Sequence, residues 1–243
     1  MQTLNKSRGP GKYWVVVPAA GSSRRMASSG LPKQYLQLAG RSVIEWALAP
    51  FLERPDCARI VVVVAEQDRH WREQALAHHH PKISTAIGGA ERVDSVRAGL
   101  RALVSLANQD DWVLVHDAAR PCLRATDLSR LIDEVADDGV GGLLGAPVVD
   151  TLKRADASDR VHATVSRESL WRALTPQMFR YGVLDRALRA AQDAGVVPTD
   201  EAQAVEALGL QPRLVRGDPD NIKITQPEDI ERAERLLKSW SAA

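Results

Sequence analysis

Apolar residues fall into two patterns along the chain. Short, largely β-branched runs stand at Tyr13–Val17, Ile60–Ala65, Ile83–Ile87, Trp112–Val115 and Gly142–Val148. Their length and composition are those of buried strands. Between the runs, apolar residues recur every three or four positions: Val43, Trp46, Ala47 and Pro50-Phe51; Trp71, Ala75 and Leu76; Val93, Val96, Leu100, Leu103 and Val104; Leu128, Leu131, Ile132 and Val135. That period predicts helices. Further helical patterns lie around Leu184–Ala191 and Glu201–Leu208.

Alternation of strand and helix predicts an α/β fold: one Rossmann-like, mostly parallel sheet with helices on both faces. A chain of 243 residues fits one large α/β domain or two small ones. It contains no internal repeat, low-complexity segment or linker-like run, so residues 1–243 read as one domain. Residues 150–170 break the pattern. Thr151–Arg154 and Arg160–Val165 read as two short, charged strands about the polar turn 155–159, a protruding β-arm. A lone hairpin of this kind is marginal in water, so it leans either on its own domain or on a second subunit.

Ligands of such sheets bind beyond the carboxyl ends of the strands, and that is where the chemistry of this chain collects. After Val17 come Pro18, Ala19, Ala20, Gly21, Ser22 and Ser23, then Arg24 and Arg25, with Lys33 soon after. Small residues let a ligand approach the backbone N–H groups, and the three cations make the segment a candidate polyphosphate cradle. It is neither the dinucleotide fingerprint nor a P-loop; on its own it also fits an ordinary strand-to-helix turn. Gly88-Gly89 leads into a helix on which Arg92, Ser95 and Gly99 share the face opposite the apolar stripe. A glycine turn followed by a solvated face is the plainer reading.

Asp117 ends the strand Trp112–Val115, where a carboxylate can hold Mg²⁺ against phosphate oxygens or can simply form a turn. Strand alternation turns His116 away from Asp117. Ile222 and Ile224 face one way and Lys223 the other, and Thr225 with Glu228 forms a capping box for the last helix. Thr199, before Asp200-Glu201, reads as an N-cap. Consecutive residues cannot converge on one ion, so His78-His79-His80 reads as a solvated loop.

Lys and Arg number 32 against 31 Asp and Glu. Such balance gives no basic excess for nucleic acid. Two cysteines, Cys57 and Cys122, make no disulfide framework and read as small buried residues of a reducing compartment. Residues 1–12 lack a signal peptide's apolar core, and no apolar run approaches the roughly 20 residues of a membrane span. The expectation is a cytoplasmic protein without membrane or nucleic-acid partners.

Four motifs, P-A-A-G-x-x-x-R-M with P-K-Q-Y, G-G-x-x-R-x-x-S, H-D-A-A-R-P and D-N-I-K, resemble those of the 2-C-methyl-D-erythritol 4-phosphate cytidylyltransferase family of sugar-phosphate nucleotidyltransferases, and the likeness spans residues 13–237. It implies a reaction of CTP with 2-C-methyl-D-erythritol 4-phosphate, supported by Mg²⁺. The resemblance assigns the triphosphate to Pro18, Ala19, Ala20, Gly21 and Ser23, and the base region to Gly88, Gly89, Arg92 and Ser95. It makes Arg25, Lys33 and Lys223 the catalytic cations. Asp117 would contact metal or substrate hydroxyls. Ala118, Arg120, Thr151 and Thr199 would meet the polyol, and Arg167 and Thr175 the acceptor phosphate. The arm would embrace a homodimer partner and lend it Thr151 and Arg167. Ser23 stands where many members have glycine, and Ala90 where some have aspartate. An enzyme for another polyol phosphate, such as ribitol 5-phosphate, would carry much the same loops. A non-catalytic nucleotide-binding regulator predicts a lost cation, but Arg25, Lys33 and Lys223 are all present.

Overall fold

The computed structural model describes residues 11–21 and 31–241. Its first strand, β1 (Tyr13–Pro18), is followed by a 3-10 turn at Lys33–Tyr35 and a small hairpin, β2 (Gln37–Leu38) and β3 (Arg41–Ser42). Ser42 and Glu45 form a reciprocal capping box at the start of α1 (Val43–Leu52), satisfying N–H groups that the first helical turn leaves unpaired. Next come β4 (Cys57–Val64), α2 (Arg69–Glu73), α3 (Ala75–His79), β5 (Ile83–Ile87), α4 (Arg92–Leu103), β6 (Trp112–Val115), α5 (Ala125–Val135) and β7 (Gly141–Pro147). The arm is β8 (Leu152–Ala155) and β9 (Val161–Val165). The chain then runs through β10 (Trp171–Arg180), α6 (Tyr181–Asp193), α7 (Glu201–Glu206), β11 (Arg213–Arg216) and α8 (Glu228–Ser241).

Seven strands form the central sheet in the order β11-β7-β10-β6-β1-β4-β5. β1 runs parallel to β4 and β6, β4 to β5, and β7 to β11. β10 is antiparallel to both its neighbours, β6 and β7. Side chains alternate across β1 and β4. Val15, Val17, Ile60 and Val62 pack with α1 and α5 on one face; Val16, Val61 and Val63 pack with α4, α6 and α7 on the other. A third cluster joins α8 to β2 and to Cys122, Ile222 and Ile224.

The expected α/β sheet is present, with two strands more than the apolar runs indicate. β10 carries Arg172 and Arg180, and its pairing with β7 shifts between Ala173 and Gln177, around Pro176, which has no N–H to donate. β11 is a short edge strand in which only Val215 is buried. His78 and His79 belong to α3 rather than to a loop.

Gly99 does not face solvent. A Cβ there would lie 2.4 Å from Val16 Cγ1 and 3.2 Å from Val63 Cγ2, so glycine lets α4 sit directly on β1 and β4. Ser95, one turn earlier, is buried as well. The small residues of α4 therefore face the sheet, because close helix–sheet approach outweighs their weak hydrophobicity. The arm forms its own two-stranded sheet, and most of its residues are exposed. Among the described residues no helix is long and apolar enough to cross a membrane.

Candidate active site

A cleft of about 290 Å³ opens at the carboxyl ends of β1 and β6, between the loop after β1, the start of α4 and the segment before α8. The loop is tied down on both sides. Ala19 N–H donates to the Val63 carbonyl at 2.7 Å, and its own carbonyl accepts from Gln34 Nε2 at 2.8 Å. Pro18, Ala19, Ala20 and Gly21 thus line one wall. Ser23 and Arg25 lie outside the described residues. Gly89, Arg92 and Ser95 line the opposite wall. Gly88 sits beneath it, where a Cβ would come within 2.5 Å of Ser95 Oγ and 2.9 Å of Ala20 Cβ.

Asp117 stands at the centre, with Ala118 beside it on the cleft wall. It is buried, and both its oxygens are engaged. Arg92 Nε donates to Oδ1 at 2.9 Å; Lys223 Nζ lies 2.9 Å, and Arg120 Nε 3.4 Å, from Oδ2. Burial alone would raise its pKa. Arg92, Lys223 and Arg120 outweigh burial and hold the carboxyl well below the usual carboxylate range. Arg92 is itself clamped by Glu201, through contacts of 2.6 and 3.1 Å to the two carboxylate oxygens.

Two lysines come to this cleft from opposite ends of the chain. Lys33 Nζ donates to the Ile224 carbonyl at 2.8 Å, next in sequence to Lys223, so both ammonium groups stand on one side of the site. The Asp218–Lys223 segment is docked on the Asp117–Arg120 turn. Arg120 Nη1 donates to the Asn221 carbonyl at 2.6 Å, and Ile224 N–H to the Ala119 carbonyl at 2.8 Å. Thr225 also lines the cleft, but its N–H and hydroxyl are both received by Asp229, at 2.7 and 2.9 Å, rather than by Glu228.

Several expected contacts do not meet in the described cleft. Thr151 and Arg167 are exposed at the base of the arm, where Arg167 bonds the Val149 carbonyl. Thr199 is exposed before α7, and the N-cap there is Asp200, which accepts from Gln203 N–H. Thr175 is buried under Asp117, and its hydroxyl receives the Asp117 N–H at 3.1 Å. Among the described residues, no three metal-ligating side chains cluster. Asp117 could serve as one ligand of a cation, and of its three partners Lys223 is the most exposed.

This arrangement sets a loop of small residues and several cations around a buried carboxylate. It suits a ligand with several phosphates.

The family model for 2-C-methyl-D-erythritol 4-phosphate cytidylyltransferase matches residues 13–239. The chain belongs to that family. It is 56% identical over 220 residues to the family's enzyme from Ectopseudomonas mendocina (strain ymp), covering 90% of this chain and 93% of that one. A crystal structure described as 4-diphosphocytidyl-2C-methyl-D-erythritol synthase superposes with a TM-score of 0.81 at 39% identity, over 93% of this chain and 99% of the other. The Francisella tularensis cytidylyltransferase superposes with a TM-score of 0.80 at 32% identity, over 93% and 100%. Cytidylyltransferase sheets of this family are thus shared nearly end to end with this chain.

Glu201 and Gln177 had no functional signal in the sequence, and Asn221 stood there only as part of the D-N-I-K motif. Gln177 accepts from Ala202 N–H at 2.8 Å and donates to Asp200 at 2.9 Å, fixing α7 so that Glu201 meets Arg92. Asn221 Nδ2 donates to the Thr175 carbonyl at 2.7 Å. All three support the site from behind.

Proposed function

We propose that this chain transfers the cytidylyl group of CTP to 2-C-methyl-D-erythritol 4-phosphate, releasing pyrophosphate. Family membership supports the reading, and one observation of the site carries it: Lys33 and Lys223, 190 positions apart in the chain, stand together against a loop of small residues.

An oxygen of the acceptor phosphate forms a bond to the α-phosphorus of CTP. The bond from that phosphorus to the α–β bridging oxygen breaks, and pyrophosphate leaves with the electron pair. Because the attacking phosphate is already an anion, no general base is needed; the obstacle is charge meeting charge. Catalysis is alignment and electrostatic stabilisation. Lys33 and Lys223 bear on the phosphates, with Arg25 as the third cation. The backbone of Ala20 and Gly21 receives the triphosphate, and Gly89, Arg92 and Ser95 flank the nucleotide base. Asp117 and Arg120 face the polyol; Thr151, Arg167 and Thr199 complete that side. Thr175, held under Asp117, serves to position it.

Mg²⁺ would supply positive charge to offset that of the phosphates; such an ion needs only one or two protein carboxylates, and Asp117 would hold it while Lys223 turns to the phosphates. We further propose a cytoplasmic homodimer in which each arm reaches the other subunit's site. An exposed hairpin with Val149, Val161 and Leu170 open to solvent supports this.

The experiment is pyrophosphate release from CTP. Release is expected only with Mg²⁺ and methylerythritol phosphate together. Comparable turnover with ATP or UTP, or faster turnover with ribitol 5-phosphate, overturns the assignment.

A further inference from the structure

His116 takes no part in the cleft, yet it is wholly buried beneath it, with its ring 5.4 Å from that of Phe51. Its two nitrogens make different contacts. Nε2 lies 3.2 Å from the Arg120 carbonyl, and Nδ1 lies 2.9 Å from Thr175 Oγ1. A carbonyl only accepts, so Nε2 carries the proton. In a neutral imidazole Nδ1 is then an acceptor, and the Thr175 hydroxyl proton points to it. That leaves the Thr175 oxygen free to accept the Asp117 N–H at 3.1 Å. The Arg120 carbonyl thereby sets the direction of the His116–Thr175 bond, and the Asp117 N–H can only donate, so the chain Asp117 to Thr175 to His116 to Arg120 runs one way.

The chain closes on itself. Arg120 N–H donates to the Asp117 carbonyl at 3.0 Å, and the two side chains meet again at the carboxylate. We propose that His116, as the neutral Nε2–H tautomer acting through Thr175, is a positioning residue that fixes the Asp117–Arg120 turn for the acceptor substrate. The role toward the acceptor rests on the cytidylyl-transfer reading; the tautomer and the bond chain do not.

The test combines nitrogen NMR on protein labelled at histidine with two threonine variants. In the wild type, His116 should show a bare Nδ1 and a protonated Nε2 at pH 8. Thr175→Val keeps the side-chain shape but removes the hydroxyl. It should shift the Nδ1 resonance and lower kcat about tenfold or more, since small misplacements at a reacting site are costly. Thr175→Ser should restore both. An Nδ1–H tautomer, or Thr175→Val with wild-type kcat, would overturn the proposal. If Thr175→Val does not fold, the wild-type spectrum and Thr175→Ser decide it. An enzyme inactive on these substrates but with the expected spectrum would refute the substrate assignment and keep the bond chain.

Discussion

Glu201 receives both terminal nitrogens of Arg92, at 2.6 and 3.1 Å, across 109 residues of sequence. Glu201 is almost entirely buried, whereas Arg92 keeps partial contact with water. Removing the carboxylate strands a guanidinium that has only Asp117 left. Glu201→Ala should lower the free energy of unfolding by about 3 kcal/mol, the low end for a broken buried pair. Glu201→Gln, which still accepts one N–H, should lose about 1 kcal/mol. Urea titration measures both, and a Glu201→Ala loss below about 1 kcal/mol would mean that Arg92 does not depend on this partner.

In the proposed mechanism Lys33 and Lys223 act on developing charge, so their loss should appear in kcat. Lys33→Met and Lys223→Met should each lower it by roughly 10²- to 10³-fold, the usual loss for one charge partner of a transition state. Lys223 is partly exposed, and its variant should fold normally by circular dichroism. Near-wild-type kcat in both would remove the lysines from the mechanism.

Gly99→Ala drives a methyl into Val16. The expected cost is about 1–3 kcal/mol, the range for overpacking a core. Adding Val16→Ala makes room, so the double variant should be more stable than the sum of the single losses predicts, by about 1 kcal/mol. Strict additivity in a thermal or urea cycle would show that α4 adjusts its distance freely.

Acid should weaken the fold through His116. Its pKa is about 4 in the folded chain and about 6.5 when unfolded. Between these values the unfolded chain binds a proton that the folded one refuses. Stability is therefore full above about pH 6.5 and falls as the pH drops toward 4, by up to about 3 kcal/mol at 1.36 kcal/mol per unit. Asp117, whose folded pKa is depressed, adds its own loss only at lower pH. Unfolding free energies at pH 7.5 and 4.5 should differ less in His116→Phe than in the wild type. An equal difference in both proteins would exclude His116 as the source.

The arm can be tested by mixing inactive proteins. Arg167→Ala and Lys33→Met should regain activity when they exchange subunits, because one site of the mixed dimer then has both native residues. Sedimentation should first give a dimer. A monomeric active protein, or verified mixed dimers without recovery, would place Arg167 in its own subunit's site.

Most of the parallel part of the fold was legible because its strands are short apolar runs, largely buried in β1, β4 and β6, although β11, also parallel, was missed. Ile83–Ile87 and Trp112–Val115 coincide with β5 and β6 to the residue. β10 was hidden because an antiparallel strand interrupted by Arg172 and Pro176 resembles neither a buried run nor an alternating one. At the site, strand-end reasoning led to Asp117 and Gly89, and the motifs led to Lys33 and Lys223. Glu201, Gln177 and His116 were illegible as support, since each acts only through a partner brought near by folding. His116 was expected to point away from Asp117, and its ring does; its hydrogen bonds return to the same turn by way of Thr175. Gly99 misled because a small residue opposite an apolar stripe looks solvated, although it is the point of closest contact with the sheet.

Neighbouring valines on β1 belong to different halves of the molecule. Val15 and Val17 share one core and Val16 the other, with the backbone of the sheet between them. Adjacent residues on this strand therefore have almost no packing atoms in common. The loop after β1 hangs from this same strand, so its anchor is packed from both sides of the sheet.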